Sequence, residues 1–499
     1  MPRRMILAVA LVGAVSLLCW QTTQGARDQD EVMELYGLFV DAVEQVESNY
    51  VRPVNRRELF ENAINGMLSE LDPYSSYYNS SQLRQFNRQI EGSFGGIGIT
   101  VNVDPGSGRL KVVAPMVGTP AYRAGILAGD LILEIDGQST EGIRIDKAVD
   151  LLQGRTGTSV TMKVLHPRNP KPVDVTITRA TIELPSVLGD IRKPDDTWDY
   201  MFDKENKIGY VRVTSFIRRT AEELKKALDE LKSQGMRGLV LDLRDNPGGL
   251  LSAAVEISDL FVEDGVIVST KGRNTVDKVF KAKKDATFTG FPMAVLVNGG
   301  SASASEIVSA CLQDDNRAEI IGQRSFGKGS VQNIIELEDG NSVLKLTVQT
   351  YHRRSGKNIH RFKNAKESDD WGVLPNPGLE VKLTSDQYVS WALARRDRDL
   401  LSSANPPSQD PKAKDESKDQ NEKKDPSAKT DQPEKKDPSE KKDGAGREPG
   451  KIPALKDLQL EKALSVVREK LKAADAKDKD KDKGEAKPAT DGQSKAEKA

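Results

Sequence analysis

The sequence predicts a multidomain α/β protein, and three observations carry that prediction. Apolar residues recur with a helical period near the N-terminus, short β-rich runs separated by Gly and Pro turns follow, and strands then alternate with helices. A long stretch rich in Lys, Asp, Glu, Pro and Ser comes next and predicts a disordered charged tail. The predicted segments are a leader (1–26), a helical N-terminal segment (27–91), a β-rich domain (92–182), an α/β core (183–395), a charged linker (396–450), a C-terminal helix (451–475) and a disordered tail (476–499).

The first 26 residues have the pattern of an export signal. Arg3 and Arg4 precede an apolar run from Met5 to Trp20, and small or polar residues follow. This is typical of a cleaved signal peptide or of a single uncleaved membrane anchor. We therefore expect an exported protein, periplasmic or otherwise extracytoplasmic, that is either free or anchored to the cytoplasmic membrane. A net charge of −1 with interspersed signs argues against a nucleic-acid partner.

The helical segment is amphipathic and needs a surface to cover it. The run "ELYGLFVDAVEQVESNYV" places six apolar side chains on one helical face. Such a small helical pair must pack on the main body or on a second subunit, and we predict a homodimer through the N- and C-terminal helices. The six residues are Leu35, Leu38, Phe39, Ala42, Val43 and Val46.

The β-rich domain contains the run "TPAYRAGILAGDLILEIDGQS", and here the sequence resembles a PDZ domain. The resemblance implies that successive glycine-rich N–H groups bind a peptide's terminal carboxylate, that the strand "IGITV" pairs with the peptide and that a helix closes an apolar pocket. The alternative is that these glycines merely turn a hairpin. The residues predicted to bind the peptide C-terminus are Gly95, Gly96, Ile97, Gly98, Val149 and Leu152.

Two strand-turn-helix units follow in the α/β core. The continuous apolar run "GLVLDLR" leads through "DNPGG" into the helix "LLSAAVEISDLF", and "MAVLV" leads through "NGGSAS" into another helix. Ligands of open sheets bind at the carboxyl ends of such strands, where Ser303 lies. The alternative is structural, because Ser, Gly and Asn also build turns and helix caps.

A nucleophilic serine needs a base, and lysine suits this sequence better than histidine. His166 lies in the β-rich domain, and His352 and His360 lie in a basic stretch, "YHRRSGKNIHR", that resembles solvated surface. Lys328 can serve if burial lowers its pKa from about 10.4 towards roughly 7 to 8. Gln332 follows four residues later in a strand-like run, and even spacing would place its amide oxygen beside the ammonium group.

The same stretch nearly matches a phosphate-binding loop. Gly322, Gly327 and Lys328 fit the pattern, but Gly329 stands where a magnesium-binding hydroxyl is required. The residues that follow predict a strand, so no helix N-terminus is available for phosphate. Nucleotide binding is therefore not expected.

The order of leader, helices, PDZ-like domain, "LVLDLRDNPGG", "VNGGSASASEI", "QRSFGKGSVQ" and "WGVLPNPGLEV" resembles the carboxyl-terminal processing peptidases, which are tail-specific serine proteases. The resemblance implies that Ser303 is the nucleophile, Lys328 the general base and Gln332 the group that positions it. No metal or cofactor is implied. The resemblance also assigns the oxyanion hole to backbone amides of Gly248 or Gly249 and of Ala304. It assigns supporting acidic roles on one helix to Glu306 and Asp314, for which the alternative is a hydrogen-bonding scaffold.

The sequence departs from the family pattern at two places. Ser325 stands where the family usually has Thr, and the charged linker separates the core from the C-terminal helix "LQLEKALSVVREKLKA", whose docking stays open. We predict an exported endopeptidase that captures unstructured, apolar protein C-termini and cleaves nearby. The alternatives are a catalytically silent PDZ scaffold at the cell surface and a different acyl-transfer hydrolase.

Overall fold

The chain forms two compact units in the computed structural model. One unit comprises Met1–Phe86 with Val331–Gln349, and the other comprises Asn87–Ser330 with Thr350–Ala499. The predicted leader and nearly all of the predicted charged linker lie outside the residues that the structure describes. Those residues are 31–167, 169, 171–193, 197–284, 287–399 and 456–485.

The N-terminal residues are helical, as predicted. Asn55 caps the second helix because its side-chain oxygen accepts the Arg57 N–H at 2.9 Å. Phe39 of the first helix packs edge-on against Phe60 of the second, with ring centroids 5.5 Å apart. The predicted apolar face is otherwise open, and Leu35 and Leu38 are 58% and 67% exposed. The elements are α1 (31–49), α2 (Arg56–Ser69), β1 (Ser76–Tyr78) and α3 (Ser80–Glu91).

The β-rich domain has the predicted strands and helix. Its main sheet is antiparallel with the order β3-β4-β5-β7-β8, so that β3 is an edge strand, and β2 pairs separately with β9. The elements are β2 (Ser93–Gly96), β3 (Ile99–Val103), β4 (Leu110–Pro115), α4 (Pro120–Arg123), β5 (Leu131–Ile135), β6 (Gln138–Ser139), α5 (Ile145–Leu152), β7 (Ser159–Leu165), β8 (Val173–Thr178) and β9 (Ala180–Glu183).

The α/β core follows, and its strands alternate with helices. The elements are β10 (Val187–Leu188), β11 (Ile191–Arg192), β12 (Trp198–Asp199), β13 (Met201–Asp203), β14 (Ile208–Val213), α6 (Thr220–Ser233), β15 (Gly238–Asp242), α7 (Leu251–Asp259), β16 (Val266–Lys271), β17 (Lys278–Lys281), β18 (Met293–Val297), α8 (Ala304–Asp314), β19 (Glu319–Gly322), β20 (Ser330–Leu337), β21 (Ser342–His352), α9 (Ser385–Asp399) and α10 (Leu458–Glu485).

The central sheet of the core positions the turns that follow its strands. Its order is β10-β14-β15-β18-β19, and β14, β15, β18 and β19 are parallel. Every residue of β15 and β18 is buried, as their continuous apolar runs predict. Asp242 at the end of β15 pairs with Leu296 near the end of β18, so the two following turns begin at the same edge of the sheet.

Strands β20 and β21 form a hairpin, and its residues Val331–Gln349 belong to the first unit. In the first unit these strands flank a short 3-10 turn at Glu338–Gly340, and β1 pairs with β21, with Ser76 opposite Lys345. In the second unit the last residues of β21 pair with β16, with Tyr351 opposite Thr270. Across residues 31–399 and 456–485, none of the helices combines the length and the apolar character needed to cross a membrane.

The C-terminal helix docks on the core of its own chain. Leu460, Leu464 and Val467 form one apolar stripe of α10, and they are buried with side chains of the central sheet that include Val240 and Leu296. A side chain at Gly238 would not fit, since a Cβ there would lie 2.5 Å from Val467 Cγ1. The predicted homodimer stays a prediction, and much of the apolar face of α1 is exposed.

Two predicted boundaries differ from the observed helices. α10 continues to Glu485, so the residues from 476 to 485 are helical rather than part of a disordered tail. α9 continues to Asp399, beyond the predicted start of the linker at residue 396, because its last turn is held by charge pairs. Arg212 Nη2 lies 2.6 Å from Asp399 Oδ1, and Arg395 is buried against Asp190 at 2.6 Å.

We expect Leu464→Ala to lower the free energy of unfolding by about 2 to 5 kcal/mol, because it leaves a cavity between α10 and the sheet. Ser465→Ala, which changes an exposed residue of the same helix, should change it by less than about 0.5 kcal/mol. Urea denaturation followed by circular dichroism measures both values. Equal stability of the two variants would show that the helix contributes little to the folded core.

Candidate active site

Two turns at the carboxyl edge of the central sheet are joined by hydrogen bonds. The Asn246 carbonyl, after β15, accepts the Ala302 N–H at 3.0 Å and the Ser305 hydroxyl at 2.9 Å. Asp245 and Asn298 exchange two further bonds, because Asp245 N–H donates to Asn298 Oδ1 and Asn298 Nδ2 donates to Asp245 Oδ1, both at 2.9 Å. These hydrogen bonds therefore fix the turn after β15 and the turn that carries Ser303 in position relative to each other.

Ser303 has an unusual backbone conformation for a residue other than glycine. Its φ is +56° and its ψ is −112°, immediately before α8 begins at Ala304. Such conformations cost on the order of 1–3 kcal/mol and persist where the surroundings over-determine them. The side chain is nearly buried, and the backbone N–H donates to Glu306 Oε2 at 2.8 Å. The residue is therefore held in a strained turn rather than serving only as a helix cap.

The carboxylate of Glu306 connects the Ser303 turn to the Lys328 loop. Its Oε2 accepts the backbone N–H groups of Ser303 and Lys328, each at 2.8 Å. Its Oε1 accepts the Ser325 hydroxyl at 2.5 Å and the Gly327 N–H at 2.6 Å. The backbone nitrogens of Ser303 and Lys328 can be no farther apart than the sum of their two bonds to the shared oxygen.

Glu306 is fully buried, and its ionisation reflects two opposing influences. Burial raises the pKa of its carboxyl group, whereas the bonds donated by Ser325, Gly327, Ser303 and Lys328 act to lower it. The balance favours a raised pKa. A neutral Glu306 is compatible with this site because the carboxyl O–H can donate to Ser325 while its oxygen still accepts from Gly327.

Lys328 is half-buried in the loop that precedes β20. The strand begins at Ser330, so the prediction that Lys328 and Gln332 lie on the same face of one strand is wrong, because Lys328 precedes the strand. The glycines on either side of Lys328 allow close packing, as expected. A Cβ at Gly327 would lie 2.9 Å from the Trp371 ring, and one at Gly329 would lie 2.3 Å from the backbone nitrogen of His360.

Gln332 lies on β20 in the first unit. Its side-chain Nε2 donates to Thr347 Oγ1 on β21 at 3.1 Å, which fixes the amide group. Its predicted role in orienting the lysine stays a prediction.

The predicted oxyanion residues differ in whether their backbone N–H groups already donate a hydrogen bond within the protein. Gly248 N–H donates to Asn246 Oδ1 at 2.9 Å, whereas the amides of Gly249 and Ala304 have no acceptor among the described residues. Position 248 nevertheless requires glycine, because the turn packs closely against the start of α8. A Cβ at this position would lie 2.8 Å from Ser303 Cβ and 2.9 Å from Ala304 N. Of the two glycines left open by the sequence, Gly249 has the available donor.

Asp314 lies on α8 with Glu306, as predicted, but it occupies the last turn of that helix. Its carboxylate binds Arg353, with Oδ1 at 2.5 Å from Nη2 and Oδ2 at 3.1 Å from Nε. Eight residues of α-helix correspond to about 12 Å, so Asp314 is remote from the carboxylate of Glu306. The ion pair connects α8 to the residue after β21.

The structure also brings Tyr351 to the site, a residue that the sequence did not indicate. Its side chain is buried, and it lies close enough to the Ser303 side chain to interact with it electrostatically. Burial raises the pKa of Tyr351, and the neighbouring Ser303 side chain acts in the opposite direction. The interpretation of "YHRRSGKNIHR" as solvated surface is wrong for Tyr351 and for Ile359, which is also buried.

Ser325, noted only as a departure from the family pattern, belongs to the same network. Its hydroxyl donates to Glu306 and accepts the Val373 N–H at 2.7 Å, so it connects the carboxylate to the "WGVLP" segment. Asn246, Asn298 and Ser301 were visible only as turn residues. Ser301 donates to the Leu243 carbonyl at 2.8 Å and accepts the Asn298 N–H at 2.9 Å.

The histidine side chains have structural partners. His166 Nδ1 lies 2.8 Å from Asp130 Oδ1 in the β-rich domain. His352 Nε2 lies 3.0 Å from Thr350 Oγ1, and its Nδ1 lies 3.3 Å from the Gly356 carbonyl. Neither arrangement forms a Ser-His pair with Ser303.

The predicted carboxylate-binding residues divide into two groups. Gly95 and Gly96 are paired with β9, but the amides of Ile97 and Gly98 have no partner in the part of the chain that the structure describes. Gly98 has φ +81°, and a Cβ there would lie 2.3 Å from the Thr119 side chain. Adjacent free amides beside the edge strand β3 form a site that suits a carboxylate.

The apolar residues predicted for the peptide pocket are mostly core residues. Ile97 and Leu152 are 2% and 5% exposed and belong to the central apolar cluster of this domain. Val149 is half-buried, and Ile145, one turn earlier on α5, is 42% exposed. The surface of α5 that is open to a ligand is therefore formed by Ile145 and Val149, whereas Leu152 supports it from below.

These features define a serine hydrolase core joined to a peptide-binding domain, and family models match the same regions. Peptidase family S41 matches residues 207–367, and a PDZ domain matches residues 111–165. The activating protease CtpB N-terminal domain matches residues 19–82.

Two proteins with similar sequences identify the family. A carboxy-terminal-processing protease of Bartonella bacilliformis is 40% identical over 365 residues, which cover 72% of this chain and 80% of that protein. The carboxy-terminal processing protease CtpA of Bacillus subtilis is 38% identical over 341 residues, covering 67% and 69%. The solved photosystem II D1 C-terminal processing protease is 30% identical and covers 68% of this chain and 86% of its own, with a TM-score of 0.38. The chain belongs to the carboxy-terminal processing proteases of family S41, which are serine-type proteases.

Proposed function

We propose that this protease is exported, captures the C-terminal tails of unfolded or processed proteins through its PDZ domain, and cleaves them near the C-terminus by a Ser-Lys mechanism. The observation that carries the proposal is the Glu306 carboxylate, which binds the backbone N–H groups of both Ser303 and Lys328. The charged and apolar pattern of the leader supports export.

In the proposed reaction Ser303 Oγ attacks the carbonyl carbon of the scissile peptide bond while neutral Lys328 accepts the hydroxyl proton. The tetrahedral intermediate carries its negative charge on the former carbonyl oxygen, where the N–H groups of Gly249 and Ala304 stabilise it. Protonated Lys328 then donates to the leaving amine, and an acyl-enzyme ester forms. Water, deprotonated by Lys328, hydrolyses that ester and restores Ser303.

Two structural features support the assignment of the reacting groups. The strained backbone of Ser303 presents its side chain at the start of α8, and the side chain of the buried Tyr351 lies beside it. Glu306 holds the loop of Lys328 against the start of the same helix, so the two reacting side chains are positioned before the substrate binds. The resemblance to the family assigns Gln332 to orienting the lysine.

Tail capture is proposed from the free amides of Ile97 and Gly98 and the edge position of β3. A terminal carboxylate accepts these N–H groups, the adjoining peptide adds a strand to β3, and an apolar side chain contacts Ile145 and Val149 of α5. Peptides that end in a charged side chain lose the apolar contact, and amidated peptides lose the charge.

The test compares three otherwise identical unfolded substrates that end in free Ala-Ala, amidated Ala-Ala or Asp-Asp. Charge-assisted hydrogen bonds are worth about 1.5 to 3 kcal/mol, so amidation should lower kcat/KM roughly tenfold to a hundredfold. The Asp-Asp substrate should also be cut more slowly. Hydrolysis of a small ester, measured in parallel, is the control for the chemical step, because the ester does not need the PDZ domain.

Two glycine variants provide a matched control for the substrate comparison. Gly98→Ala places a methyl group against Thr119 and should remove the preference for the free carboxylate, whereas Gly137→Ala has a similar positive φ but open space around it. Gly137→Ala should keep the preference. If wild-type protein cleaves the free and amidated tails at the same rate, the PDZ domain does not read the carboxylate.

A further inference from the structure

A buried ion pair lies at the base of the turn that carries the proposed oxyanion glycines. Asp242, at the end of β15, accepts Arg244 Nε at 3.0 Å and Arg244 Nη2 at 2.6 Å, and both side chains are buried. The Tyr210 hydroxyl donates to the same carboxylate at 2.6 Å. Burial acts to raise the pKa of Asp242, but the adjacent Arg244 charge lowers it to about 2, so the pair is ionic.

The second partner of Arg244 comes from the C-terminal helix. Asp457, just before α10, binds the guanidinium group with both oxygens, since Nη1 lies 2.9 Å from Oδ1 and Nη2 lies 2.9 Å from Oδ2. Gln459 Oε1 accepts a further bond from Nη1 at 3.1 Å. Arg244 also stacks over the Trp391 ring at 4.5 Å, and the Trp391 indole N–H donates to Asp457 at 2.9 Å. Bidentate pairing of this kind fixes direction as well as distance.

Asp457 also organises the start of its own helix. Its Oδ1 accepts the Leu460 N–H at 3.0 Å, which is the bond of an N-cap residue. A single carboxylate therefore caps α10, binds Trp391 of α9 and neutralises Arg244. The position of Arg244 consequently depends on where the C-terminal helix begins.

Arg244 is connected to the Ser303 turn through a short covalent and hydrogen-bonded path. Asn246, two residues later, donates to the Val213 carbonyl at 2.7 Å and accepts the Gly248 N–H at 2.9 Å. Its carbonyl accepts Ala302 N–H and the Ser305 hydroxyl across the gap between the turns. A shift of Arg244 therefore moves Gly248 and Gly249, and the amide of Gly249 is the proposed oxyanion donor.

We propose that Asp457 is a positioning residue for catalysis, and that docking of the C-terminal helix completes the oxyanion turn through the Asp457–Arg244 pair. The proposal rests on the assignment of Ser303 as nucleophile. Asp457 does not touch the reacting atoms, and it acts by holding Arg244 and, through it, the turn from Asp245 to Gly249. The apolar stripe of α10 supplies most of the docking surface independently, so loss of the carboxylate alone should leave the helix in place.

The test is the hydrolysis of a small ester by full-length Asp457→Asn protein, with kcat expressed per folded molecule from circular dichroism. We expect kcat to fall roughly tenfold to a hundredfold, since small misplacement of an oxyanion donor has effects of this order, with KM unchanged. The pH at which the acid limb of kcat reaches half its maximum should not move, because the base is untouched. Asp475→Asn is the matched control, since it makes the same change on the same helix at an exposed pair with Arg237.

The outcomes separate this proposal from the proposed function. Ser303→Ala protein as active as the wild type would refute the nucleophile, irrespective of Asp457. With an inactive Ser303→Ala variant, wild-type kcat in Asp457→Asn, or an equal loss in Asp475→Asn, would overturn the positioning role. If Asp457→Asn does not fold, Trp391→Phe removes one bond to the same carboxylate and should lower kcat about threefold or more. Unchanged kcat in that variant would then refute the proposal.

Discussion

Ser303→Ala and Lys328→Ala should each lower the rate of ester and peptide hydrolysis by a factor on the order of 10⁴ or more. The first removes the nucleophile and the second removes the proposed base, so neither variant can form the acyl-enzyme at an appreciable rate. Both substitutions shorten a side chain without deleting a large apolar group, so the thermal midpoint should change little. A serine-reactive phosphonate measures the effect directly, because it should label wild-type protein at Ser303 and leave both variants unlabelled.

His352→Ala and His360→Ala are the controls for the choice of base. The ring of His352 contacts Thr350 and Gly356, and the ring of His360 packs edge-on against Phe362 with centroids 5.0 Å apart. Both variants should retain activity within a few-fold of wild type. An inactive histidine variant together with an active Lys328→Ala enzyme would replace the Ser-Lys assignment with a histidine mechanism.

The sequence was sufficient for the architecture around Ser303 because that architecture rests on local signals. The runs "GLVLDLR" and "MAVLV" are too uniformly apolar for a surface strand, and each is followed by turn residues and an amphipathic helix, which define β15-α7 and β18-α8. The two turns meet because β15 and β18 are parallel neighbours. No long-range information was needed to predict that a ligand site lies at this edge.

The residues that the sequence did not indicate depend on contacts between distant segments. Tyr351 directly precedes the basic run "HRR", and its burial follows from pairing with β16 rather than from its neighbours in the chain. Gly248 and Gly249 could not be told apart because the difference is which amide Asn246 engages. Asp457 follows a long charged segment, so its ion pair with Arg244 could not be predicted from the sequence. Ile97 and Leu152 were apolar residues of the right region, but they face the core rather than a pocket.

Glu306→Gln should lower kcat by about a hundredfold to a thousandfold and the free energy of unfolding by roughly 2 to 5 kcal/mol. The carboxylate has two acceptors, and each accepts two donors: Ser303 and Lys328 on Oε2, Ser325 and Gly327 on Oε1. Glutamine replaces one acceptor with an NH₂ group. In either orientation of the amide, at least one backbone N–H then faces a donor and loses its partner in a fully buried position.

The measurements are kcat for the small ester and the urea midpoint of unfolding. Glu256→Gln, an exposed residue of α7, is the matched control and should leave both values near those of the wild type. An enzyme with normal kcat after Glu306→Gln would show that the shared carboxylate does not set the relation between Ser303 and Lys328. Loss of activity with unchanged stability would locate the effect at the Lys328 loop.

The pH dependence of the stability difference provides a separate test of the Glu306 assignment. Because burial raises its pKa on folding above the ordinary 4.5, Glu306 favours the folded state most strongly at pH values below 4.5. This contribution disappears as the pH rises through the raised pKa. Glu306→Gln has no carboxyl group to titrate, so the difference in unfolding free energy between wild type and variant should be largest at acid pH and should narrow towards neutrality. A difference that widens with pH would mean that the four donated hydrogen bonds outweigh burial and that Glu306 is ionised throughout the working range of the enzyme.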